Sequence, residues 1–309
     1  MNQPTRNDAM APRELHHRLT AGGHIHLIHT LPEEHFRKIR LPLSTNACVY
    51  MVTFVDQVAA IVPDKEAEVV LYGSGPRSLD SQVAAEKLLL AGYSNIRVLE
   101  GGIEAWQSAG LPVEGDAVES PVDPNTQLVL TDRTYRVDTQ RSSIGWTGRN
   151  PGTTHFGDVK LASGELTVKS GVLTGTFEID MNSITNKNLE GNDLQPVLIS
   201  HLKSDDFFLV RMFPTARFEI LSSQPAAEAF LTAPNIHIRG VLALRGVKAD
   251  LDFPATVTRT PENGLAAEAH FDIDRTRWKI LYGSTRFFEH LGMHVVFDLI
   301  SFQLRIVAD

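Results

Sequence analysis

The hydrophobic pattern of this chain changes its period about a third of the way along, and that change limits what the chain can fold into. Up to residue 115 or so, short continuous apolar runs alternate with helix-like stretches. Beyond it, apolar residues fall on every second position in one segment after another. A period of two belongs to strands with one buried face and a period near 3.6 to helices. A single sheet architecture does not serve both halves, and 309 residues is twice the length of a common domain. The pattern therefore predicts an α/β unit followed by an all-β unit.

In the first third, Pro12 opens a short helix through Leu15 and Leu19, closed by Gly22 and Gly23. HIHLIH (24–29) reads as a strand, and VVLY (69–72) and IRVL (96–99) as buried strands of a parallel sheet. SQVAAEKLLLAGY (81–93) is an amphipathic helix ending at Gly92, and GIEAWQSAG (102–110) a last short helix. Strand–helix–strand order implies a parallel sheet with helices on both faces. EGDAVESPVDPNTQ (114–127), with two prolines, four acids and no periodicity, reads as a linker. The expected division is 1–115, a linker over 116–132, and 133–309.

In the second half Leu173, Phe177, Ile179 and Met181 alternate with Thr174, Thr176, Glu178 and Asp180. Ile236, Ile238, Leu242 and Leu244 do the same against His237, Arg239, Ala243 and Arg245, as do Ala267, Ala269, Phe271 and Ile273 against Glu268, His270, Asp272 and Asp274. Such strands separated by glycine turns predict an antiparallel barrel or sandwich.

The net charge of −8 is spread over both parts, −3 before residue 116 and −5 after it. Neither offers the basic field that nucleic acid or anionic membranes attract, so no nucleic-acid partner is expected. One cysteine, Cys48, excludes an internal disulfide and any multi-cysteine metal site. With no apolar leader and no transmembrane-length stretch, a cytoplasmic location is expected, with no membrane span. The oligomeric state stays open, a homodimer included. Six histidines crowd residues 16–35, and solvent exposure is the expected reading for them, because no acidic or cysteine partner is fixed nearby. No metal and no cofactor is expected.

LEGGIEAWQSAGLPVEG (99–115), with VVLY, the AAEKLLLAGY helix and the strand between them, resembles the rhodanese-like family over residues 10–115. In that family a loop between a buried strand and a helix carries a cysteine that takes up sulfur as a persulfide. Here the loop is GSGPRSLDS (73–81). Counting from the strand puts Gly73 at the cysteine position; counting back from Ser81 puts Ser78 there. Neither is a thiol, and a serine cannot form a persulfide. The Asp and Arg usual after the first core strand are absent too, with His29 and Leu31 in their place. Cys48, in NACVYMV without a basic neighbour, reads as a structural thiol. No catalytic residue is expected. The degenerate loop of Gly73, Ser74, Gly75, Arg77 and Ser78 keeps the option of holding an anion on its backbone N–H groups, or of residual sulfurtransferase chemistry.

Residues 133–309 resemble the YceI-like family through YRVDTQRSSIGWTG (135–148), GTFEIDMNSIT (175–185), HLKSDDFFLVRMFPTARF (201–218), IRGVLALRGVKADLDFP (238–254) and DRTRWKILYGS (274–284). The resemblance implies a lipocalin-like antiparallel barrel and an apolar, isoprenoid-like lipid as partner. The positions expected to face inward are Phe177, Ile179, Phe218, Ile238, Leu242, Leu244, Phe271, Phe302 and Leu304. Gly164, Gly171, Gly175, Gly240 and Gly246 among them point to an interior that is not uniformly full. Asp274, Arg275, Arg277, Trp278 and Tyr282 are expected to line a polar rim. The expected function is a non-enzymatic lipid-binding barrel with a pseudo-rhodanese module; the alternative is an interaction scaffold whose barrel is filled by side chains.

Overall fold

The computed structural model describes residues 9–116, 128, 130–226 and 230–309. The chain divides into two compact units, 1–123 and 124–309. Most of the expected linker lies outside the described residues.

The first unit is a five-stranded parallel sheet in the order β1-β5-β4-β2-β3. Its strands are β1 (Ala9–Met10), β2 (His26–His29), β3 (Thr45–Asn46), β4 (Val69–Tyr72) and β5 (Ile96–Leu99). The helices are α1 (Pro12–Thr20), α2 (Glu33–Lys38), α3 (Phe54–Ile61), α4 (Asp80–Leu90) and α5 (Gly102–Ser108). VVLY is buried at all four positions because its pleat feeds two cores. Val69 and Leu71 pack with Phe54, Val58, Ala84 and Leu88 of α3 and α4. Val70 and Tyr72 pack with Leu15, Ile103 and Trp106 of α1 and α5. The α/β fold expected from the apolar runs is the fold observed. Sequence periodicity left α2 and α3 unassigned.

The second unit is a closed eight-stranded antiparallel barrel with one added strand. Its strands are β6 (Arg133–Arg136), β7 (Ser143–Arg149), β8 (Thr154–Lys169), β9 (Val172–Asp180), β10 (Thr215–Pro225), β11 (Ile236–Leu244), β12 (Val247–Arg259), β13 (Leu265–Asp274) and β14 (Leu299–Ala308). The long strand β8 makes closure possible. It pairs with β7 and β6 in succession along one edge and with β9 along the other. The β8–β9 and β11–β12 hairpins turn at Ser170–Gly171 and Arg245–Gly246, all four with positive φ, as the right-handed twist of two-residue hairpins requires. One helix, α6 (Leu194–Lys203), lies over an end of the barrel with Leu198, His201 and Leu202 turned inward.

Candidate functional site

The inner face of the barrel encloses two apolar chambers. The inner one has a volume of about 130 Å³. Phe177, Ile179, Phe218, Ile238, Leu242, Phe271, Phe302 and Leu304 line it, eight of the nine positions expected to face inward. Leu244 lines the second chamber instead. That outer chamber, about 310 Å³, lies toward the end covered by α6 and reaches the size range of small-molecule pockets. Ile144, Ile179, Leu242 and Phe302 border both.

The inner chamber carries a belt of five phenylalanines. Phe177 and Phe218 stack at 6.3 Å, Phe218 meets Phe253 at 5.8 Å, Phe253 stacks on Phe271 at 4.1 Å, and Phe271 on Phe302 at 5.9 Å. Between Phe218 on β10 and Phe253 on β12 runs β11, whose inward residue at that level is Gly240. A Cβ there would sit 2.7 Å from the Phe218 ring. The interior glycines therefore admit a neighbour rather than leave space, contrary to the expectation drawn from them. Gly164 lies against Val137 and Phe177, and Gly175 against Leu166, while Gly171 and Gly246 are turn residues.

The expected polar rim resolves into parts with different roles. Arg275 is buried, donating to the carbonyls of Ile280, Val296 and Phe297 at 2.6–3.1 Å. Burial pulls its guanidinium pKa down, with Asp298 and Asp274 opposing. Trp278 is buried too and donates to the Leu242 carbonyl at 2.8 Å. Arg277 sits outside, over the Trp278 ring. Asp274 pairs with Arg286 at 2.7 Å. Of the five, Arg275 and Tyr282 border the outer chamber. There the Tyr282 ring packs against His201 and Phe207, and its hydroxyl meets His294 Nδ1 at 3.1 Å. Phe207 and Phe208 line the same chamber. Trp146 and the inward residues of β12 (Leu251, Phe253, Ala255, Val257) went unassigned, although β12 carries the same period-two signal.

In the α/β unit the loop from Gly73 to Asp80 holds a carboxylate of its own. Asp80, only 4% exposed, accepts from Ser74 N (3.3 Å), Ser81 N (2.5 Å) and Ser78 Oγ (2.9 Å). A Cβ at Gly73 would lie 1.9 Å from Asp80 Oδ1. On the other side a Cβ at Gly75 would lie 2.5 Å from Glu104 Oε2. One backbone donor of the loop, Ser74 N, is thus directed at an internal carboxylate, and Arg77 is exposed. Cys48 is half-buried between buried Ala47 and Val49.

A consequence is open to measurement. Gly73→Cys should destabilise the unit by about 1–3 kcal/mol through overpacking against Asp80. Asp80→Ala in the same chain should recover part of that loss, giving a coupling of about 1 kcal/mol in a thermal-unfolding double-mutant cycle. Strict additivity would show that the two side chains do not compete for one space.

The histidines divide. His24 and His26 are exposed as expected, but His29 is fully buried. Its ring stacks on His35 at 5.2 Å and meets Tyr72 edge-on at 5.0 Å. Its nitrogens face His35 Nδ1 (3.2 Å) and Asn46 Nδ2 (3.3 Å). Burial first, and His35 second, push its pKa down to about 3, so the ring is neutral. Among the described residues no group of three His, Cys, Asp or Glu side chains is placed to hold a metal. Among the same residues no helix is long and apolar enough to cross a membrane.

The YceI-like domain model matches residues 135–308, more than half of the chain. The chain belongs to the YceI-like family. A rhodanese-like domain model matches residues 11–109. No curated protein matches. Among solved structures, BcnA of Burkholderia cenocepacia is 16% identical, with 56% of this chain and 99% of that one covered at a TM-score of 0.45. A polyisoprenoid-binding domain from Saccharophagus degradans is also 16% identical, covering 57% and 97% at 0.43. A thiosulfate sulfurtransferase from Pseudomonas aeruginosa is 20% identical over 35% of this chain and 20% of that one, at 0.31. Identities this low do not carry a ligand or an activity across.

Proposed function

We propose that the YceI-like domain carries an apolar, isoprenoid-like lipid and that the protein is not an enzyme. The observation that supports this is the pair of contiguous chambers, the inner walled by aliphatic and phenylalanine side chains and the outer mostly apolar, with Arg149, Asn150, His155, His201 and His294 also on its wall. A scaffold barrel has no use for unfilled apolar space, since each unfilled void costs packing energy. A chain of CH₂ and CH₃ groups gains about 0.8 kcal/mol per CH₂ on entering such a space. The rhodanese-like unit is a pseudoenzyme in this reading: its loop has Gly73 and Ser78 where a cysteine is expected, and Asp80 takes up Ser74 N and Ser78 Oγ.

Native mass spectrometry and lipid extraction of protein purified from its own host should reveal a bound lipid. Ala269→Phe, which projects a ring into the inner chamber, should lower the lipid recovered about tenfold, or 1.4 kcal/mol. His270→Phe, one position along on the outward face, should leave recovery unchanged. A wild-type protein that emerges empty, or equal recovery from both variants, would reject the carrier reading.

A further inference from the structure

We infer that the open end of the barrel is a docking surface for an uncharged phospholipid bilayer, through which the cargo enters and leaves; this rests on the carrier reading above. Met293 borders the outer chamber and is 97% exposed, so the chamber meets solvent beside it. Exposed apolar side chains stand on the elements that form the chamber, beside Arg149, Asn150, His155 and His294 of its wall. On α6, Leu198 and Leu202 turn into the chamber, while Leu194 and Val197 on the outward side are 61% and 62% exposed. Phe287, Phe288 and Phe297 are each about half exposed on the segment that carries Met293.

Isolated exposed apolar residues are ordinary on a protein surface, but a cluster at the mouth of an apolar cavity marks a contact site. This cluster is anchored: Val296 N donates to Gly283 O at 2.8 Å, Phe297 N to Arg149 O at 2.9 Å, and Arg275 holds the Val296 and Phe297 carbonyls. The chemistry of the cargo names the partner. An isoprenoid-like chain resides in bilayers, and a mouth seated in the interface lets it transfer without crossing water. Charge selects the kind of bilayer. On the surface adjoining the collar Asp205, Asp206 and Glu289 stand with Arg245 and Lys279, Arg286 beside Phe287 pairs with Asp274, and the whole chain carries −8, so no basic cluster is offered to anionic headgroups. An anionic surface would repel it.

Flotation with phosphatidylcholine vesicles tests this on the full chain. The wild type should float with the vesicles, unchanged from low salt to roughly 0.5 M, because apolar insertion is not screened. Leu194→Asp/Val197→Asp and, separately, Phe287→Asp should each reduce flotation at least about tenfold, a loss that follows from removing buried apolar area. None of these three side chains lines a chamber, so lipid extracted from the purified variants should match the wild type. A wild type that stays in the aqueous fraction overturns the inference, as do variants that float equally. Binding confined to phosphatidylserine vesicles and abolished by salt overturns it as well. Cargo without flotation defeats docking alone; flotation without cargo defeats the carrier reading and leaves the collar as a membrane contact.

Discussion

Arg275→Met is expected to destabilise the barrel by about 3–5 kcal/mol, the range for breaking a buried charged network. The side chain fits the volume, so loss of packing is not the cause. Its guanidinium serves the carbonyls of Ile280, Val296 and Phe297 and lies 3.4 Å from Asp298. Methionine leaves those acceptors without a donor; the bond to the Ile280 carbonyl is buried, and a stranded acceptor there costs about 1–3 kcal/mol. Because 280 and 296–297 are the two ends of the segment closing the outer chamber, lipid retention should fall together with stability. Arg275→Lys should be intermediate, since an ammonium cannot match the spread of a planar fork. Urea denaturation of the three proteins is the measurement; a methionine variant within about 0.5 kcal/mol of wild type would mean that the carbonyls find other donors.

The second large effect is a pH dependence confined to the α/β unit. His29 is neutral in the fold, with its pKa near 3, against about 6.5 for an ordinary histidine. Between those values the unfolded chain binds the proton and the folded one does not, so stability rises with pH across that window. The contribution is fully present above about pH 6.5 and is lost as the pH falls toward 3. The slope approaches about 1.4 kcal/mol per pH unit for one group of this kind. His29→Gln, which cannot take a proton there, should flatten the acid limb relative to wild type. Comparing the two proteins removes the contribution of the carboxylates common to both. Hydrogen exchange of β2 and β4 amides between pH 4 and 7 reads the unit directly. Equal slopes in both proteins would show that His29 takes up its proton without unfolding.

Where one periodicity persists, the fold was legible in the residues themselves. The inward faces of β9, β11 and β13 follow from alternation alone, because a barrel wall has one wet side and one dry side. Continuous apolar runs were legible as parallel strands but not as helices. NACVYMV passes straight into α3, and Thr53 supplies no side-chain cap to mark where the helix begins. In α6 a signal existed: Pro196 sits in the first turn, where a proline is tolerated. The site was half legible. Side chains lining the chambers follow from the pleat, but a charged residue read by pattern is placed outside, and Arg275 violates that rule because local carbonyls converge on it. Asp80 is equally silent in sequence, since only the folded loop brings its carboxylate beside Gly73. His29 was misplaced for a similar reason: its partners Asn46 and Tyr72 lie on the neighbouring strands β3 and β4.

The four side chains common to both chambers have a kinetic meaning. Ile144, Ile179, Leu242 and Phe302 stand on four different strands, β7, β9, β11 and β14. In the carrier reading, a lipid that reaches the phenylalanine belt from the outer chamber threads between them and passes them again on leaving that way. Affinity then depends on the whole apolar lining, whereas residence time depends on how often these four rotamers part. Two cargoes of equal affinity, one short enough to stop in the outer chamber and one reaching past the four, would be released at very different rates.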